Sequence, residues 1–249
     1  MNDRSHAILG ALIALGLVLG GWALGAQIKA TRLSDRYVTV KGLVERQVKS
    51  DLAVWPISFK LAGNELSPLH SSAEAQQKTV LDFLAQQGIK SEEVGVGVVR
   101  VIDTQAREYG AERSPYRYIV EQKITVRSSR VDQVAAAAQK TALLLQKGIV
   151  IDSDRGGQQG VTYKFTGLNA IKPDMITEAT RNARAAAARF AADSGSQVGS
   201  IRQANQGVFS ILAADQAAGS AEEGFDYNAD GSILKTVRVV TTVQYYLDQ

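Results

Sequence analysis

YVTVKGLVERQVKSDLAVWPISFKL, residues 37–61, changes character at almost every second position. Val38, Val40, Val44 and Val48 fall on one side of an extended chain, and Thr39, Lys41, Glu45, Gln47 and Lys49 on the other. A helical period would scatter both sets, so the spacing predicts a half-buried β-strand. Ser50-Asp51 supplies turn residues, after which Ala53, Trp55, Ile57, Phe59 and Leu61 alternate with Pro56, Ser58 and Lys60. The expected unit is a β-hairpin, with Pro56 at an edge or bulge because it has no N–H to give to a ladder.

Downstream, Ser67-Pro68 begins a helix whose Leu69, Ala73, Val80, Phe83 and Leu84 form a stripe and which stops at Gly88. Strands are expected over residues 94–102 and 116–126, joined by a polar loop; in the second, Tyr116, Tyr118, Val120, Ile124 and Val126 share a face. Ser129 opens a second helix through Val131, Val134, Ala135, Ala138, Ala142 and Leu145 to Gly148. After a short strand at Val161, Tyr163 and Phe165, Pro173 opens an alanine-rich helix through Met175, Ile176, Ala179, Ala183, Ala186, Phe190 and Ala191 to Gly195. The last strands cover residues 201–212 and 233–247, the latter with Ile233, Val237, Val239, Val243, Tyr245 and Leu247 on one face. Between them lies a long loop, residues 213–232. Helices stand between pairs of strands rather than after every strand, which implies an α+β fold: mostly antiparallel sheets with helices packed on them. No fixed-period internal repeat is evident.

Upstream, residues 7–26 contain no charged or strongly polar side chain. As a helix they would span roughly 30 Å, one bilayer crossing, with Trp22 suited to an interface. Ala23-Leu24-Gly25 resembles a small-x-small cleavage site, but the apolar run exceeds the roughly 7–15 residues of a cleavable signal, so length favours a retained anchor. Gly16 with Gly20, and Gly21 with Gly25, have the small-xxx-small spacing that lets membrane helices approach closely. The expected organisation is a transmembrane signal-anchor at residues 1–28, a tether at 29–36 and an α+β domain at 37–249. Flank charges conflict with an outward domain: Arg4 is offset by Asp3, whereas Lys29, Arg32 and Arg36 follow the apolar run. The positive-inside rule would put the domain in the cytoplasm, although long domains translocate largely regardless of such charges.

Composition narrows the chemistry. A formal charge of +3, from 28 basic and 25 acidic residues with no basic tract, argues against a nucleic-acid partner. The absence of cysteine excludes disulfides, thiolate nucleophiles and zinc-thiolate sites. His6 precedes the apolar run and His70 stands alone, so no Ser-His-Asp set can be assembled beyond it. Neither Gly156-Gly157-Gln158-Gln159-Gly160 nor Gly95-x-Gly97 carries a phosphate-loop ending. The sequence therefore nominates no catalytic residue and no cofactor.

Two clusters remain. Asp226, Asn228 and Asp230, followed by Gly231, open like a calcium loop, but the twelfth position is Val237 rather than a bidentate glutamate, and a solvated turn explains the same residues. Arg107, Arg113 and Arg117 lie near Tyr109, Tyr116 and Tyr118, a set able to contact an anion or stack on a ligand, or simply to decorate a charged hairpin tip.

The order of segments resembles the bacterial SIMPL-domain family of periplasmic immunogenic and envelope stress-associated proteins. The resemblance is carried by Val38-Thr39-Val40-Lys41-Gly42, Asp51-Leu52-Ala53, Leu81-Asp82-Phe83-Leu84, Gly88-Ile89, Tyr116-Arg117-Tyr118 and, most strongly, the alanine- and arginine-rich run of residues 179–191. It departs at Lys49-Ser50, where the family often has proline before the aspartate, and in the retained anchor. The resemblance implies no catalytic positions. It implies a homo-oligomer with its large domain in the periplasm, serving envelope maintenance or stress protection; with the apolar run at residues 7–26, the expectation is a single-pass inner-membrane protein. A ligand-binding module or enzyme using residues 107–118, and a calcium-responsive adhesion module, are the alternatives.

Overall fold

The computed structural model describes residues 14–22, 36–106, 115–151, 160–214 and 229–248. Residues 14–22 are helical (α1). Then follow β1 (Tyr37–Lys49), β2 (Leu52–Gly63), α2 (Leu66–Gln86), β3 (Val94–Val96), β4 (Arg100–Asp103) and β5 (Tyr118–Ser128). The chain continues with α3 (Val131–Ala138), α4 (Ala142–Gln146), β6 (Thr162–Lys164), α5 (Leu168–Asp193), β7 (Gln197–Gln206), β8 (Ser210–Ala213) and β9 (Leu234–Asp248). One sheet has the order β1-β9-β7, with β8 also on β9; the other has β3-β5-β2-β6, with β4 also on β5. The pairs β2–β5, β2–β6, β3–β5, β4–β5, β7–β9 and β8–β9 are antiparallel, so the α+β expectation holds.

The hairpin expectation fails: β1 and β2 enter different sheets. The turn residues donate to two different segments, Ser50 N to the Ile233 carbonyl (2.9 Å) and Asp51 N to that of Lys164 (3.0 Å). Strand alternation identified each face correctly, but partner choice is long-range. Pro56 lies in β2 beyond the part that β6 covers, which is Leu52–Val54.

The chain forms two compact units. Unit 1 is Met1–Val44, Pro173–Phe209 and Val239–Gln249; unit 2 is Glu45–Lys172 and Ser210–Arg238. In unit 2, Ala53, Trp55, Ile57 and Phe59 of β2 and Ile124 and Val126 of β5 meet Val80, Phe83 and Leu84 of α2 and Val134 and Leu144 of α3 and α4. Helix α2 stops as expected at Gly88 (φ 77°), where Gly88 N reaches Ala85 O and Ile89 N reaches Leu84 O. Helix α4 repeats this closure at Gly148 (φ 79°) and Ile149, and both isoleucines are buried. These are paired six-to-one and five-to-two closures, for which glycine accepts the left-handed residue without strain.

In unit 1, α5 turns Met175, Ala179, Ala183, Ala187 and Ala191 inward at four-residue spacing. Three of these alanines face β1 and β9: Gly42 meets Ala179 and Ala183, and Val40, Val243 and Tyr245 cluster with Ala183 and Ala187. Gly42 is required by closeness: a Cβ there would overlap the Ala179 carbonyl oxygen and lie 2.7 Å from Ala183 N. Asn182, beside the stripe, donates from Nδ2 to the Leu43 carbonyl (3.0 Å).

Four further boundaries differ from the sequence reading. Residues 94–102 divide into β3 and β4, because Gly97 N donates to Lys123 O (2.8 Å) while Gln122 Nε2 donates to Gly97 O (3.1 Å). The second helix divides into α3 and α4: three-residue closures at Lys140 and Thr141 tighten the turn and bring Leu144, not Leu145, into the core. Residues 201–212 divide into β7 and β8, where Gly207 N turns to Val240 O. Helix α5 starts at Leu168 rather than Pro173, because the Asp51 carboxylate accepts from Thr166 N (2.8 Å) and Gly167 N (3.0 Å) just ahead of it. That cap comes from the distant turn between β1 and β2 and is invisible to local reading.

Candidate functional site

The Arg/Tyr cluster is described at its base. β4 and β5 pair so that Asp103 stands opposite Tyr118. Arg117 donates from Nε (3.3 Å) and Nη2 (3.2 Å) to Asp103 Oδ2, and its guanidinium lies 4.9 Å from the centre of the Tyr118 ring. Arg117 N donates to Asn64 Oδ1, while the Thr104 hydroxyl donates to the carbonyls of Tyr116 and Arg117. Burial acts most strongly on Asp103 and would raise its pKa, but N–H donation from Gln105 and then Arg117 overcomes it, leaving the carboxyl below the ordinary range. An anion approaching Arg117 would therefore compete with a carboxylate already in place. Tyr116 is half-exposed; Arg107, Tyr109 and Arg113 lie outside the described residues.

A second polar network was not foreseen. Glu93 Oε1 accepts from Ser128 Oγ (2.5 Å) and Arg130 Nε (3.3 Å), and its Oε2 accepts from Lys90 N (2.9 Å) and Arg130 Nη2. Arg130 Nη1 also donates to Gln133 Oε1 (2.6 Å), and Gln133 Nε2 donates to the Gln87 carbonyl (2.9 Å). The Arg130 hydrogen bond, against opposing burial, takes Glu93 from 4.5 to about 2. Such a carboxylate is a poor general base, and the Ser128 oxygen is also occupied as acceptor of Arg130 N. The arrangement ties the end of β5 to the turn after α2. The turn closes through the Lys90 backbone, whose N–H donates to Glu93 and whose carbonyl accepts from Glu93 N (3.0 Å), so with lysine in the first position the sequence carries no capping-box signal.

An open cleft of about 660 Å³ in unit 2 is lined by Ala135, Ala138, Tyr163, Ala214, Ile233 and Leu234, among others. Burial, reinforced by Asp132, pushes the Tyr163 phenol above its ordinary pKa, so it remains a neutral hydrogen-bonding group. Beside Leu234, Lys235 is 2% exposed, and burial lowers its pKa against the opposing influence of Asp230. The cleft offers room and apolar surface without a convergent charged set.

Of the calcium-loop residues, Asp230 lies in the turn Ala229–Gly231, while Asp226 and Asn228 fall outside the described residues. Among the described residues, no three His, Cys, Asp or Glu side chains are placed to hold a metal ion. Gly16, Gly20 and Gly21 lie in α1 with open space beside them, and Gly25 is outside the described residues. Among the described residues, no helix is long and apolar enough to cross a membrane; residues 7–13 and 23–26 of the apolar run are not among them.

The family model SIMPL, a protein of unknown function (DUF541), matches residues 38–245. The chain belongs to the SIMPL family. No curated protein matches it. The SIMPL match begins inside β1 and ends inside β9, and it includes the residues whose geometry is most demanding: Gly42 beneath α5, Asp51 ahead of α5, and the inward alanines of α5. Those SIMPL residues hold backbone segments together, and their roles in this structure are architectural.

Proposed function

We propose that the chain is a membrane-anchored, non-enzymatic SIMPL-domain protein that assembles as a homo-oligomer on the periplasmic face of the inner membrane and serves envelope maintenance or stress protection. The observation that carries the reading is an uninterrupted apolar run at residues 7–26 shortly before a SIMPL domain at residues 38–245. The polar geometry supports a scaffold: Arg117, Glu93, Arg130 and Asp51 are each engaged in intramolecular hydrogen bonds. A protein of this kind works through surfaces, with Gly16, Gly20, Gly21 and Gly25 as one contact between anchors.

The test is the native mass of the full chain in mild detergent beside a fragment beginning at Lys29. Discrete multimers of both support assembly through the SIMPL domain. Multimers of the full chain alone assign assembly to the glycine face, and two monomers overturn the oligomer. In that last case ligand binding at the Arg117–Tyr118 region becomes the reading to pursue.

A further inference from the structure

The end of unit 1 nearest the apolar run is built from four chain segments. Leu247 N donates to Arg36 O, which sets the end of β9 beside the start of β1. Gln197 pairs with Asp248, adding the start of β7, and only residues 194–196 separate that strand from the last residue of α5. Gly42 meets Ala179 and Ala183 while Val40 clusters with Ala183 and Ala187, so α5 runs toward the start of β1. From there to Arg36, β1 advances about 20 Å at roughly 3.3 Å per residue, while α5 gains a similar height on reaching its last turn.

This end carries an anomaly. The inward residues of α5, from Met175 to Ala191, are at most 2% exposed, yet Phe190 in the last turn is 60% exposed. Tyr37, at the start of β1, is 43% exposed beneath the Arg202 guanidinium, which lies 4.0 Å from the centre of its ring. Residues 27–35 are all that separate this end from the apolar run; at no more than about 3.6 Å each, they cannot carry it further than roughly 30 Å away. Confinement of that kind raises the effective concentration of a nearby surface, so a weak contact suffices to hold.

We propose that this end of unit 1 rests on the bilayer interface, with Phe190 entering the head-group region and Tyr37 and Arg189 beside it. The proposal rests on residues 7–26 being the anchor, but it holds on either side of the membrane. Charge bears on the lipid class: by sequence and by the contact at Tyr37, this end and the tether carry Lys29, Arg32, Arg36, Arg189 and Arg202 against Asp35, Asp193 and Asp248. An excess of only two positive charges falls short of a polybasic cluster and favours an interface of zwitterionic lipid held by aromatic and guanidinium groups over one that needs anionic lipid.

The cysteine-free chain permits a direct test. Full-length Asp193→Cys, carrying a fluorophore, is reconstituted into phosphatidylcholine vesicles containing a head-group nitroxide lipid, beside a Gln206→Cys control. Expected are flotation with the vesicles, quenching several-fold stronger at 193 than at 206, and loss of that difference in Phe190→Ala with the circular dichroism unchanged. Equal quenching at the two positions in floating protein overturns the contact while leaving the anchor intact. Quenching indifferent to Phe190→Ala overturns the role of Phe190. Failure to float removes the anchor and the proposal together.

Discussion

The two units differ in how a helix meets its sheet. Unit 2 uses large side chains, with Trp55, Ile57, Phe59, Phe83 and Leu144 between sheet and helices. Unit 1 brings backbone to backbone, with Gly42 under Ala179 and Ala183. The sheet–helix contact of unit 2 is held by buried apolar volume, whereas that of unit 1, beside Tyr245 and Val243, depends on the absence of a side chain at Gly42. The first should be sensitive to truncation and the second to enlargement.

The sharpest way to break that contrast is Gly42→Val. The side chain meets helix backbone, which cannot rotate aside, so the loss should exceed the roughly 1–3 kcal/mol of ordinary overpacking, and no folded unit 1 is expected by circular dichroism. Phe59→Ala attacks the other unit; at 0% exposure it should cost about 3–5 kcal/mol in urea unfolding. A Phe59→Ala variant as stable as the parent would erase the distinction.

Glu93→Gln sharpens the comparison by testing the polar clamp of unit 2, and should cost about 1.5–3 kcal/mol. Glu93 titrates at about 2 in the fold against 4.5 ordinarily, so its contribution is complete above about pH 4.5 and fades as pH falls toward 2. Unfolding midpoints followed from pH 6 to pH 2 should therefore converge for parent and variant. The smallest effect expected is that of Asp51→Ala, about 1 kcal/mol, read as lost amide protection in the first turn of α5.

What the sequence disclosed follows the range of each interaction. Alternation in β1, β2, β5 and β9 was legible because one face of each is buried, and the stops at Gly88, Gly148 and Gly195 were legible because the left-handed conformation is a local demand. Partner choice was not: β1 joins β9 from the far end of the chain, and Asp51 caps a helix more than a hundred residues away. The inward registers occupied by Gln122, Lys235 and Thr241 were hidden by their polarity. At the candidate site Arg117 is visible in the sequence, but Asp103 lies outside both expected strands, and nothing local marks it as the partner that occupies Arg117.

The twin closures at Gly88-Ile89 and Gly148-Ile149 have a consequence for how this domain can change through evolution. Each joins a buried leucine to a buried isoleucine five residues on, through a left-handed glycine. One inserted residue inside either span would swing the isoleucine out of the interior, whereas residues inserted beyond 151 fall outside both closures. Length differences among SIMPL chains should accordingly avoid both five-residue spans and accumulate beyond them, making the two Leu-to-Ile intervals dependable fixed points for aligning distant members.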